Sequence, residues 1–265
     1  MNKYNNQFSR RWLAIIGAFA AVYSISSSAM TSASQTGCAG VLSNITLISS
    51  LDPKLLFLDR CQGLCGITSI MNAVQLALND IDHTLLTDPF SFINQINQKH
   101  PETRGNTSAL PSFDKTIELV SRKVEEIYNV QIEHKISALR FPWDNQSSTI
   151  HYSQNLTNIS LKLQPGERQV FMFMAFNKAN DDWIGTHAMT LINYDSQTKI
   201  ANFSDPNISN TLISFKLNGI ELEDDEGTTF ELMPLSKEFF EIYEPEFSSA
   251  SLKVHSVATI RITKK

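Results

Sequence analysis

Between Leu64 and Leu78, apolar residues recur at Leu64, Ile67, Ile70, Met71, Val74, Leu76 and Leu78. Steps of three and four dominate, which predicts a helix with one buried face, stopped at Asn79-Asp80. A second helix is expected from Asp88-Pro89, with the aspartate as cap, proline at the first helical position, and Phe90, Phe92, Ile93 and Ile96 on its apolar side. A third follows from Phe113, Ile117, Val120, Val124 and Ile127, with Ser112 as its expected cap. The period then changes. Val130-Gln131-Ile132-Glu133 alternates as a half-exposed strand does. Residues 141–168 are polar and carry Pro142, Pro165 and Gly166, so they read as loop, with one element near Ile159 to Leu163.

Val170 to Phe176 (VFMFMAF) is a continuous apolar run of strand length, which predicts a central strand buried on both faces. Ala188 to Tyr194 and Ile200 to Phe203 are two further strands, and Asp195-Ser196-Gln197-Thr198 between them has the composition of a hairpin turn. Additional strands are expected at Leu212 to Leu217, Thr228 to Leu232 and Leu252 to Ile262, and Glu221 to Glu226 reads as a solvated acidic loop. Helices thus fill the first half and antiparallel strands the second. The pattern predicts an α+β protein of two lobes or layers sharing one cleft.

The ends add an address. Arg10-Arg11 precede an apolar core from Trp12 to Ile25, and small residues follow at Ser26 to Ala29 and Thr31-Ser32-Ala33. That succession predicts an export signal over 1–33, whose core is shorter than the roughly 20 residues a membrane-spanning helix needs. The expected mature chain, 34–265, is secreted or periplasmic, with no stable membrane insertion after cleavage. A net charge of −5, without a basic stripe interleaved with aromatics, argues against nucleic acid as a partner.

The cysteines are Cys38, Cys61 and Cys65. An odd count in an oxidising space predicts one disulfide and one free thiol. A Cys38–Cys61 bridge would leave Cys65 reduced; a Cys61–Cys65 bridge would block it. Cys65 opens the first predicted helix, where unpaired N–H groups and the positive helix end favour an anion. A thiol there is a candidate nucleophile, or else a small buried packing residue. A nucleophile needs a base and a group to orient that base. Of His83, His100, His134, His151, His187 and His255, the best placed is His187, which follows Gly185-Thr186 and opens a predicted strand. The hairpin returns the chain to its side at Asp205-Pro206-Asn207, so Asp205 or Asn207 is the expected orienting group.

A cysteine at a helix start, a histidine on a later strand and an acid closing the hairpin resemble the papain-like cysteine peptidase superfamily. The text Cys65-Gly66-Ile67-Thr68-Ser69-Ile70, with Ala73-Val74 and Ala77-Leu78 behind it, looks most like phytochelatin synthases and double-glycine leader peptidases. Gly185 to Leu191 with Tyr194-Asp195, then Asp205-Pro206, is similar to their histidine and aspartate segments. The resemblance implies a papain-like fold, with a helical lobe over about 60–128 carrying the nucleophile and an antiparallel β lobe over about 129–265 carrying the histidine and aspartate. It further implies Cys65 as nucleophile, His187 as base and Asp205 as its orienter, with no cofactor and no metal. Two departures stand out. These families place an oxyanion-hole glutamine about six residues before the cysteine, where this chain has Asp59; Gln62 is the candidate instead. Gln62-Gly63-Leu64-Cys65-Gly66-Ile67-Thr68 also overlays a second papain register in which the nucleophile falls on Thr68 and the chain is a pseudo-enzyme.

The expectation is an exported thiol hydrolase or transpeptidase acting on an amide bond of a peptide or protein substrate. The rival is an inactive fold serving as a binding or inhibitory module. A metal site of Cys65, His187 and Asp205 is a third reading, but the chain lacks the Cys-x-x-Cys or His-x-x-x-His pairs that usually build one.

Overall fold

A computed structural model of the protein describes residues 64–83, 86–101, 110–140, 149–180, 182–207, 212–222, 227–235, 239 and 250–265. Three helices come first: α1 (Leu64–Asp82), α2 (Pro89–Lys99) and α3 (Leu110–Ile127). Eight strands follow: β1 (Val130–Ala138), β2 (Ile150–Tyr152), β3 (Glu167–Asn177), β4 (Trp183–Asp195), β5 (Ile200–Ser204), β6 (Leu212–Glu221), β7 (Thr228–Pro234) and β8 (Ala250–Lys264). A short 3-10 turn at Leu156–Asn158 lies between β2 and β3. The sequence pattern predicts neither this turn nor β2, and 159–163 is irregular. Among the described residues no helix is long and apolar enough to cross a membrane.

The strands form one sheet in the order β2-β1-β8-β3-β4-β5-β6-β7, and β7 also pairs with β8. That last contact, through Glu231 and Lys253, closes six strands into an antiparallel barrel, leaving β1 and β2 as an extension beyond β8. The seam is reinforced where the Thr229 hydroxyl donates to the Val254 carbonyl at 2.6 Å and Ser251 donates to Glu231 at 2.9 Å. β8 changes partners along its length. Its later residues pair with both β1 and β3, and a bulge between Ser256 and Val254 shifts the register opposite Met172 and Phe173. A bulge of this kind bends a strand and sharpens its twist, which a barrel wall requires.

Two apolar bodies lie on opposite sides of this wall. One fills the barrel, where Phe171, Phe203, Phe215 and Phe239 meet edge to face with ring centroids 5.1 to 5.7 Å apart. The other lies between helices and outer wall, where Ile67, Ile70, Met71 and Val74 of α1 join Val170, Met172, Ala188, Ala258 and Ile260. β3 supplies both bodies by alternation, and so every residue from Arg168 to Ala175 is buried.

This architecture overturns the expected papain-like pair of lobes. The helices do not form a body facing a separate sheet lobe; they coat the outside of a closed barrel whose wall is their packing partner. Closure depends on which strand neighbours which, and the alternation of β7 and β8 is the same in an open sheet as in a closed one.

Local differences have similar causes. α1 is buried from Gly66 to Leu78 on every side, Thr68, Ser69 and Asn72 included, because the wall and the other two helices enclose it. It continues past Asn79-Asp80 to Asp82 because Ile81 still packs on the core and Asp80 has a partner: Arg168 grips its carboxylate at 2.6 and 2.9 Å. The Gly166 amide also reaches Asp80, at 3.3 Å; Gly166 has φ +76°, and a Cβ there would stand 2.6 Å from the Ile262 carbonyl oxygen. Asp88 caps α2 as expected, accepting from the Ser91 amide at 3.1 Å. α3 starts two residues before Ser112, with Pro111 already in its first turn.

Candidate active site

Cys65 is the second residue of α1, partly exposed, and carries a free thiol. β4 begins at Trp183, earlier than expected, so His187 lies within the strand rather than at its mouth. Its register partner on β3 is Phe173, whose ring meets the imidazole edge to face at 5.6 Å and 79°. Thr190 pairs with Ser204 at the end of β5, so the next residue, Asp205, is delivered beside His187. His187 Nε2 lies 2.9 Å from Asp205 Oδ1. The same oxygen accepts the Asn207 amide at 2.8 Å. Asp205, at 1% exposure, is cut off from water, and these two donors take its place.

On its other side the imidazole is hydrogen-bonded to the sulfur of Cys65. With Nε2 engaged by Asp205, Nδ1 is the nitrogen left for the thiol. The backbone N–H of Ala188 donates to the same sulfur. Burial pushes the Cys65 thiol up, but the hydrogen bond and positive charge of His187, together with the Ala188 amide, outweigh it and leave the thiol below its ordinary value. Burial pulls His187 down, but the charge and hydrogen bond of Asp205, with the sulfur opposite, raise it to about 10. Both shifts favour the thiolate beside an imidazolium. The pair stands at the N-terminal end of α1, whose first-turn amides have no carbonyl partner within the helix and favour a negative charge nearby.

The structure therefore brings Cys65, His187 and Asp205 into one hydrogen-bonded line. Asp205 supplies the carboxylate, and Asn207 contributes its amide to that carboxylate rather than to the imidazole. Gln62, Cys38, Cys61, Asp59 and the export signal lie outside the described residues. Thr68, the nucleophile position of the second register, is fully buried one turn into the helix, its hydroxyl without a hydrogen-bond partner among the described residues. No group of three or more His, Cys, Asp or Glu among the described residues is arranged to hold a metal.

Sequence reasoning missed two buried hydroxyls beside the line. Ser69 donates to the Ala188 carbonyl at 2.9 Å, and Thr190 donates to the Ser69 carbonyl at 2.7 Å. The only sequence signal was negative: both are polar residues on otherwise apolar stretches.

A second imidazole–carboxylate pair stands elsewhere. His134 of β1 lies 2.7 Å from Asp114 of α3, and the Thr149 hydroxyl donates to the other oxygen of Asp114.

Compared with models of known protein families and with curated proteins, the chain matches none.

Proposed function

We propose that the protein is an exported thiol enzyme, secreted or periplasmic, that cleaves or transfers an amide bond of a peptide or protein substrate. The observation that carries this reading is the unbroken line Cys65–His187–Asp205 at the start of α1. Each member has surroundings that suit its role: a sulfur whose thiolate form is favoured, a ring whose imidazolium form is favoured, and a buried carboxylate fixing that ring.

The Cys65 thiolate attacks the substrate carbonyl, forming an S–C bond, and the carbonyl electrons move onto oxygen. The amides at the start of α1 stabilise that oxyanion, and Gln62 stands close enough in sequence to assist. Collapse of the tetrahedral adduct breaks the C–N bond, and the imidazolium of His187 gives its proton to the leaving amine. The thioester is then resolved by water, which yields an acid, or by a second amine, which yields a new amide. His187, now neutral, takes the proton of the incoming nucleophile and returns to imidazolium as the thiolate leaves.

The test is an electrophilic thiol probe applied to the purified chain, with the label mapped by peptide mass spectrometry. Cys65 takes up the probe at mild pH, and Cys65→Ala loses both that label and all turnover of an amide substrate. Turnover retained in Cys65→Ala overturns the proposal.

A further inference from the structure

We propose that Ser69 and Thr190 are positioning residues for the thiolate–imidazolium pair; this deepens the reading of Cys65 as a nucleophile and rests on it. α1 meets the barrel wall mainly through Ile67, Ile70, Met71, Val74 and their apolar partners on β3, β4 and β8. Such contacts hold the helix down but are non-directional and set no hydrogen-bond geometry of their own. The sulfur and the imidazole need the opposite, because a hydrogen bond weakens steeply with misalignment.

The directional contacts come from two crossed hydroxyl bonds. Ser69 follows Cys65 by four residues, which places it on the same face of the helix, about 6 Å further along. Its hydroxyl donates across to the Ala188 carbonyl at 2.9 Å. Thr190 answers in the other direction, donating to the Ser69 carbonyl at 2.7 Å. Both side chains are fully buried, so neither bond is exchanged with water. Ala188 is the shared element. Its carbonyl is held by Ser69 and its N–H by the Cys65 sulfur, so α1 grips the backbone on both sides of one residue. The residue before it is His187. Fixing Ala188 against α1 therefore fixes where the imidazole starts, while Asp205 and Phe173 fix where its ring points.

The deciding comparison uses the full chain with three substitutions: Thr190→Val, which keeps the shape and removes the hydroxyl; Thr190→Ser, which restores the donor; and Ser69→Ala. For each, the rate of iodoacetamide alkylation mapped to Cys65 is followed against pH, beside a thermal melt. Loss of alignment weakens the hold of His187 on the thiolate and moves the alkylation inflection upward. An upward shift of one unit makes Thr190→Val alkylate about tenfold more slowly than wild type at a pH below both inflections. Ser69→Ala shifts in the same direction, and Thr190→Ser returns toward wild type. A purely structural pair lowers the melting temperature but leaves the inflection in place, and that result overturns the proposal. If Thr190→Val fails to fold, the Ser69→Ala profile decides by the same criterion. A wild-type inflection already at the free-cysteine value of about 8.5 removes the proposed function and this inference with it. A low wild-type inflection preserved in the folded variants removes this inference alone.

Discussion

Two imidazole–carboxylate pairs among the described residues have nearly equal lengths, 2.9 Å for His187–Asp205 and 2.7 Å for His134–Asp114, and their third members separate them. At the first pair the third group, Cys65, sits on the far side of the ring, so the imidazole is held between the carboxylate and the sulfur and stabilised by both. At the second, Thr149 and His134 share the same carboxylate, and Asp114 is a hub. A hub joins α3 to β1 and to the turn before β2, but it places no nucleophile on the imidazole. The pairs differ in burial too: the His187 and Asp205 side chains are 8% and 0% exposed, against 20% and 9% for His134 and Asp114. A short His–Asp distance is thus no sign of chemistry by itself; the group on the other ring nitrogen decides.

The sharpest way to break this contrast is at the carboxylates. Asp205→Asn keeps the shape but removes the charge that holds His187 near 10, and turnover should fall by roughly 100- to 10,000-fold, the scale of one acid–base group. Asp114→Asn should leave turnover per folded molecule unchanged. Equal losses in the two variants, measured as initial rates, would dissolve the distinction.

The pH profile sharpens it. Cys65 lies below its ordinary value, so activity rises with pH as the thiolate forms, at a lower pH than for a free cysteine. His187 lies at about 10, so the proton needed by the leaving amine is lost only as pH climbs through that region. In Asp205→Asn the alkaline limb retreats toward neutral, because the largest influence raising His187 is the charge of Asp205. An alkaline limb unmoved in that variant would mean that another group sets it.

The smallest effects belong to the hub. Asp114→Asn leaves Thr149 and His134 with a poorer acceptor and should destabilise the fold by about 1–3 kcal/mol in denaturant unfolding, and Thr149→Val by about 1 kcal/mol. Neither moves the alkylation profile of Cys65.

The proximity of His187 and Asp205 was legible because it rests on local rules, whereas the meeting of Cys65 with them was expected only from the family resemblance. Three-and-four spacing after Cys65 makes a helix, and Asp195 to Thr198 makes a hairpin. A hairpin carries the residues after its second strand back beside the start of its first. The barrel was not legible. It is closed by Glu231 against Lys253 and bent at the β8 bulge, and neither leaves a trace in hydrophobic alternation. Ser69 and Thr190 were invisible for another reason: a hydroxyl satisfied across an interface has the same sequence signature as one facing water. Asp114 and His134 were hidden by distance along the chain, on elements whose pairing is set only by packing α3 against the sheet.

β8 carries a further consequence. It pairs with β1, β3 and β7 at once, yet it comes after all of them in the chain. The ribosome releases those partners first, and none of them can complete the ring alone. Until β8 emerges, β3 has an open flank and the hairpin bearing His187 stands on an unfinished scaffold. The arrangement of Cys65, His187 and Asp205 therefore waits on the last strand of the chain to take its place.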